Sequence, residues 1–448
     1  MTASGLAGSE RAPEGSRGRS DLGGEPQDTW LDLPPDHPYG LATLPYGIFS
    51  TADPDLRRVG VRIGDFVLDA GAAAEFVGME SGVWWLQPTL NHFLSLGHPA
   101  WKAARSWLVE VLSNPAHRDG IEPFLIPLGE VTLHLPIEVA DYVDFYASQE
   151  HATNIGRIFR PGGEALTANW KHLPIGYHGR AGTVVVSGTE IIRPMGQRKA
   201  PTDPEPVYGP STRLDIEAEL GFIVGAGTSL GSRVSIEDAA DHLFGVALFN
   251  DWSARDIQAW ESVPLGPFLG KSFGSTLGAW VVPMEALAAA TLPLPRQDPE
   301  PLPYLRGSAG SSGRNGSGEG LFGLDLHLEV RLNGTLVSSP EYAGMYWSPA
   351  QMLAHLTVNG ASLRDGDLFA SGTISGPGKE TRGSLIELTW NGQEPLALDD
   401  GSTRTFLQDG DTVTVTGWAP GPDGARIGLG EVAGTIVKAI GEKHVAQR

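Results

Sequence analysis

Leu214-Asp215-Ile216-Glu217-Ala218-Glu219-Leu220 alternates apolar and acidic residues without a break, and the pattern runs on as apolar sequence to Val224. A period of two belongs to a β-strand, so Asp215, Glu217 and Glu219 share one face and Leu214, Ile216, Ala218 and Leu220 the other. Working outward, Thr183–Val186, Val246–Phe249, Leu324–Leu332 and Thr412–Thr416 read as further short strands between Gly- and Pro-rich turns. With 59 Gly and 34 Pro among 448 residues, this part predicts a convoluted β-sheet fold rather than α/β winding. Upstream, Val59–Leu68 reads as two strands around a Gly-Asp turn. Around Pro99–Leu112, Trp101, Ala104, Leu108 and Val111 fall on one helical face. The expectation is mostly β with α+β elements: a small amino-terminal domain at 29–136 and a large domain at 137–448. Residues 1–28 read as a disordered leader, and the Gly/Ser-rich run 307–320 as a flexible loop inside the large domain.

Composition excludes several chemistries. The chain has no cysteine, which removes disulfides, thiolate catalysis and sulfur-based metal sites. Its net charge of -21 opposes binding to phosphate backbones and anionic lipids, so no nucleic acid and no membrane partner is expected. No apolar run is long enough for a membrane helix and none near the start resembles a signal core, so the expected location is cytoplasmic. Spare carboxylates are what hard divalent ions prefer.

Each candidate motif has two readings. Alternation alone favours a solvated acidic edge for Glu217 and Glu219. Against that, like charges two residues apart repel unless a cation sits between them. Val246–Phe249 runs into Asn250-Asp251-Trp252, followed by Ser253-Ala254-Arg255-Asp256, which predicts a helix capped by Ser253. This is either a polar corner, or a strand end that offers Asp251 to a metal while Arg255 and Gln258, three apart on one helical face, meet an anion. Asp141–His151 gathers two Asp, two Tyr and a His, and beside a metal-ready acid His151 becomes a candidate general base. Gly270-Lys271-Ser272-Phe273-Gly274 matches the serine-hydrolase elbow and nearly a P-loop. Pro264 and Pro267 argue against the strand an elbow needs, and the P-loop spacing is one residue short. Lys271 can still be active on its own terms. Asp365-Gly366-Asp367 and Asp409-Gly410-Asp411 read as turns.

Taken together, these segments resemble the fumarylacetoacetate hydrolase family. The likeness is carried by Leu44–Ser50, Asp141–Gly156, Leu173–Thr189, Leu214–Leu220, Phe249–Gly274 (FNDWSARDIQAWESVPLGPFLGKSFG), Gln297–Leu305, Leu368–Gly376 (LFASGTISG) and Ile427–Gly434. The resemblance implies an SH3-like amino-terminal domain and a large mixed β-sandwich roll, assembled as a homodimer. It implies hydrolysis of the carbon–carbon bond of a β-diketo acid, 4-fumarylacetoacetate, as the last step of tyrosine and phenylalanine catabolism. The alternative is a related acylpyruvate-type hydrolase. By the same resemblance Asp144, Glu217, Glu219 and Asp251 would hold a Ca²⁺ or Mg²⁺, with a second Mg²⁺ near Asp251, Lys271 and Ser275. His151 would be the base, oriented by Glu387, while Arg255, Gln258 and Lys271 surround the oxyanion. Tyr146, Arg160, Tyr177 and Thr373 would contact substrate. Ser262 and Ser275 stand where the family has Tyr and Thr, so a substrate contact at Ser262 is in question. The chemistry fits a cysteine-free chain, because water activated by His151 needs no side-chain nucleophile and a divalent ion eases departure of the carbon leaving group.

Overall fold

The structure is a computed structural model that describes residues 28–34, 36–79, 82–307 and 321–441. Residues 1–27 of the expected leader and 308–320 of the expected loop lie outside the described residues. The strands that position the site are Tyr46–Ser50 (β1), Arg58–Ile63 (β2), Phe66–Asp69 (β3), Leu125–Pro127 (β4), Tyr142–Phe145 (β5), Gly176–His178 (β6), Ala218–Val224 (β7), Leu243–Asp251 (β8), Ser275–Leu277 (β9), Trp280–Pro283 (β10) and Leu368–Ala370 (β11). They belong to a thirteen-stranded sheet ordered β4-β3-β2-β1-β10-β8-β7-β11-β5-β6, with β9 paired to β8 off this path. Most pairs are antiparallel, but β5 runs parallel to β11. The strands expected around the Gly-Asp turn are β2 and β3, and Gly64 takes the positive φ of 57° that the turn requires.

Both faces of the middle of this sheet are covered, which is why every residue of β7 and β8 is buried. Alternate side chains serve different interiors. Leu220, Phe222, Val246 and Leu248 pack with Leu328, Val330, Val413, Val415 and Val432 of a second, five-stranded sheet. Ile223, Ala247 and Phe249 pack instead with amino-terminal residues including Trp85, Phe93, Leu108 and Leu112. Leu108 and Leu112 belong to the helix His98–Ser113 (α1), where Trp101, Ala104, Leu108 and Val111 are buried as their spacing predicts. The amino-terminal strands also enter the sheet directly, since β1 pairs with β10 through Tyr46–Val281. Among the described residues no helix is long and apolar enough to cross a membrane.

Three local expectations need correction. Leu214–Val224 is two strands, not one: Leu214–Asp215 pairs with Ser253–Ala254, and β7 starts only at Ala218. At the break, backbone donors go to side chains instead of a ladder. Ile216 N–H donates to its neighbour Asp215 (2.8 Å) and Glu217 N–H to Asn250 Oδ1 (3.1 Å). Leu324–Leu332 is likewise split, with Gly323–Leu324 pairing with Thr291–Leu292 before the strand His327–Leu332. Ser253 does not cap a helix. It lies in a strand, its hydroxyl on the Asp251 carbonyl, and the helix Arg255–Glu261 starts without a side-chain cap. Both Asp-Gly-Asp segments are turns, with Gly366 and Gly410 at φ 91° and 92° and the second Asp accepting a backbone N–H.

Candidate metal centre and active site

Strand pairing brings the acids together. Asp144 lies in β5 opposite Tyr177 of β6. Glu219 lies in β7 opposite Phe249, and Asp251 ends β8 opposite Ser275 of β9. The backbone break at Ile216–Glu217 lets Glu217 join them. Oxygens of Asp144, Glu217 and Asp251 fall within 4.8 Å of one another, and all three residues are buried. Glu219 stands outside this trio. One of its oxygens accepts the Gly372 N–H (3.0 Å). The other, like Asp144 Oδ1, is buried with no hydrogen-bond partner.

The charge balance around these groups is uneven. Lys271 donates to Glu217 and to Asp251 Oδ2 (2.7 Å), and Ser275 donates to Asp251 Oδ1 (2.7 Å). Tyr177 OH donates to Asp251 as well (3.2 Å). Arg255 donates to Glu217 (2.8 Å), to Asp215 (2.7 Å) and to Gln258 Oε1 (3.2 Å). Burial, with the neighbouring acids, pushes the carboxyls of Asp144 and Glu219 far above the usual carboxylate range. Burial would raise Glu217 too, but the charges of Lys271 and Arg255, joined by His151 when it is protonated, outweigh it and hold that carboxyl well below its ordinary value. Burial would likewise strip Lys271, yet Asp251, Glu217 and Asp144 keep its ammonium charged to well above the usual range. Asp144 and Glu219 are thus left with unpartnered oxygens and no cation of their own. The donor set is oxygen-only and rich in carboxylate, which fits a hard divalent ion.

His151 sits at the start of the helix Gln149–Phe159 (α2), where Ser148 accepts its backbone N–H. Its Nδ1 bonds Glu387 Oε2 at 2.6 Å and its Nε2 lies 3.8 Å from Glu217 Oε1. Glu387 is buried and takes further hydrogen bonds from Asn154 (2.9 Å), Ser375 (2.9 Å) and Ser384 (2.7 Å). Burial alone would raise its carboxyl, but a protonated His151 and the hydrogen bonds from His151, Asn154 and Ser384 hold it below the ordinary range. Tyr146 packs edge-on against the His151 ring at 5.3 Å. A cavity of about 130 Å³ opens beside the acids, lined by Tyr142, Tyr177, Arg180, Asp251, Phe268 and Lys271 among others.

Other expected positions lie farther out or have other partners. Thr373 is buried, its hydroxyl without a partner, one residue from Gly372. Arg160 is exposed at the end of α2, its guanidinium on the Glu164 and Ala165 carbonyls. The Ser262 hydroxyl donates to the Gln258 carbonyl at the end of Arg255–Glu261. Residues 270–274 neither follow a strand nor open a helix, so Ser272 does not sit on a nucleophile elbow. Sequence reading missed Asn154, Ser375 and Ser384 around Glu387, and Asp215 beside Arg255. Asn154 carried a local signal, being three residues from His151 on one helical face, and so did Asp215, on the alternating acidic face of Leu214–Leu220; Ser384 carried none.

Carboxylates, a buried lysine and a carboxylate-held histidine thus converge in one sheet-built centre, the make-up of an enzyme active site. The sequence model described as Fumarylacetoacetate (FAA) hydrolase C-terminal matches residues 141–437, and that described as Fumarylacetoacetase N-terminal matches 42–136. The chain belongs to the fumarylacetoacetate hydrolase family. It is 47% identical to fumarylacetoacetase of Homo sapiens over 427 residues, covering 92% of this chain and 99% of the relative. The fumarylacetoacetase of Arabidopsis thaliana is 45% identical, covering 91% and 98%. Among solved structures, a fumarylacetoacetate hydrolase from psychrophilic Exiguobacterium antarcticum matches with a TM-score of 0.51 at 18% identity, covering 89% of this chain and all of that one. That likeness supports the fold, mainly sheets with helices.

Proposed function

We propose that this chain hydrolyses the carbon–carbon bond of 4-fumarylacetoacetate to fumarate and acetoacetate, closing tyrosine and phenylalanine breakdown. The observation that carries the reading is the His151–Glu387 pair facing the buried acids, in a chain whose named relatives match over almost their whole length. Glu387 accepts from Nδ1 of His151, which leaves Nε2 free to take a proton from water on the side of the acids. Arg255, Gln258 and Lys271 are the donors for the negative charge that then develops, each contributing roughly 3–4 kcal/mol when well placed. Asp144, Glu217, Glu219 and Asp251 would hold Ca²⁺ or Mg²⁺, and Asp251, Lys271 and Ser275 a second Mg²⁺. When bound, such an ion supplies the positive charge that the departing carbon's electron pair needs. Tyr146, Arg160, Tyr177 and Thr373 complete the substrate contacts. Ser262, whose hydroxyl is used on its own helix, is too short to replace the family's phenol.

The same reading makes the amino-terminal layer SH3-like and the protein a cytoplasmic homodimer. Purified protein mixed with fumarylacetoacetate tests the function. Its ultraviolet absorbance should disappear, EDTA should stop the loss, and Ca²⁺ or Mg²⁺ should restore it. Turnover that survives EDTA, or that is seen only with an acylpyruvate, overturns the reading.

A further inference from the structure

We propose that Asp215 is a positioning residue of this active site: one buried carboxylate that fixes the Arg255 guanidinium and the short helix carrying Glu387 relative to each other. The proposal rests on the roles given above to Arg255, His151 and Glu387.

Asp215 is fully buried, and both of its oxygens are filled. Oδ2 accepts from Arg255 Nε (2.7 Å) and from Ile386 N–H (3.2 Å). Oδ1 accepts from Leu385 N–H (2.7 Å) and from Ile216 N–H (2.8 Å). Four donors use up the lone-pair sites of a carboxylate, so this acid has nothing left for an ion. A simple counter-ion for Arg255 would not need the backbone of another element. The helix Leu385–Leu388 needs it, because Ser384 makes no side-chain cap, its hydroxyl being spent on Glu387. The first N–H groups of a helix have no partner within it, and here Asp215 takes two of them. Two residues later in that helix, Glu387 grips His151. Arg255 meanwhile reaches Glu217 and Gln258. A single carboxylate therefore joins the donor side of the site to its base side.

Asp215→Asn keeps the shape but has one oxygen, so its amide nitrogen must face either Arg255 or a helix N–H. We expect kcat to fall about 10- to 100-fold with KM within about threefold, since positioning is lost rather than substrate binding. The Nδ1 proton of His151, observed by nuclear magnetic resonance in histidine-labelled protein, should shift relative to wild type. Asp215→Asn should also cost less on a Glu387→Gln background than alone. An unmoved His151 resonance overturns the proposal whatever the rate, as does full multiplicativity of the two variants. If wild type does not hydrolyse fumarylacetoacetate, the assigned reaction fails, while the resonance still decides the link through Asp215. If the asparagine variant does not fold, Asp215→Ala refolded with formate takes its place. A wild-type resonance regained with formate supports the link, and one not regained overturns it.

Discussion

Glu219 brings a buried, half-unpartnered carboxyl to a site already crowded with acids. Glu219→Gln removes charge with little change of shape. Without metal the variant should be at least as stable as wild type, and its divalent affinity by calorimetry should fall about tenfold to a hundredfold, or roughly 1.4–2.8 kcal/mol. The raised carboxyls of Asp144 and Glu219 also give stability a pH dependence. A carboxyl whose folded pKa lies above its unfolded value contributes stability below the unfolded value and loses it as pH rises through the folded one. Metal-free protein should therefore lose stability on passing from mild acid upward, whereas a divalent ion competes with those protons. The rise in Tm on adding Ca²⁺ should be larger at pH 7.5 than at pH 5, and an equal or reversed difference would contradict the assignment. His151→Ala should abolish turnover and leave divalent affinity unchanged. Glu387→Gln should lower kcat by about 100-fold, because the amide carries no negative charge for the protonated imidazole and, with its oxygen on His151 and the serine hydroxyls, turns a donor nitrogen toward the Asn154 amide.

At the scale of elements, α2 places the base, and Gly156 shows how tightly. A Cβ at Gly156 would lie 1.8 Å from the Ala165 carbonyl oxygen, so the chain after α2 crosses directly over the helix. Gly156→Ala must push one against the other. It should cost about 1–3 kcal/mol in denaturant unfolding and also lower kcat, since His151 is on the same helix. Element by element, the sequence was legible where one period ran unbroken. The α1 face is of this kind, and the Val246–Phe249 strand was legible as an unbroken apolar run. It was misleading at Leu214–Val224, where alternation continues through a backbone break. The break is caused by Asp215 and Asn250 taking backbone donors, and Asn250 comes from the neighbouring strand β8, outside the alternating segment itself. The same locality limits the site. Asp251 at a strand end and His151 beside acids could be suspected from sequence, whereas Ser375 and Ser384 meet Glu387 only through tertiary folding.

For the whole molecule, the sheet works as a partition with an interior on each side. Removing residues up to 136 would uncover Ile223, Ala247, Phe249 and Leu277 and strip β1 from β10. A chain starting at residue 137 should therefore fail to give a soluble product with native near-ultraviolet circular dichroism. A soluble, active fragment would show that the amino-terminal layer is dispensable. This partition is not legible in the sequence, because neither side chains shared by two interiors nor a strand pair joining distant segments leaves a mark in local sequence.

β8 sends Val246 and Leu248 to one interior and Ala247 and Phe249 to the other before ending in Asp251. Loosening either interior frees the same ribbon, so the chain should melt as a single cooperative unit, with one calorimetric endotherm whose van't Hoff and calorimetric enthalpies agree. Damage far out in the amino-terminal layer would then be felt as lost catalysis, because the strand that transmits it ends in a candidate ligand.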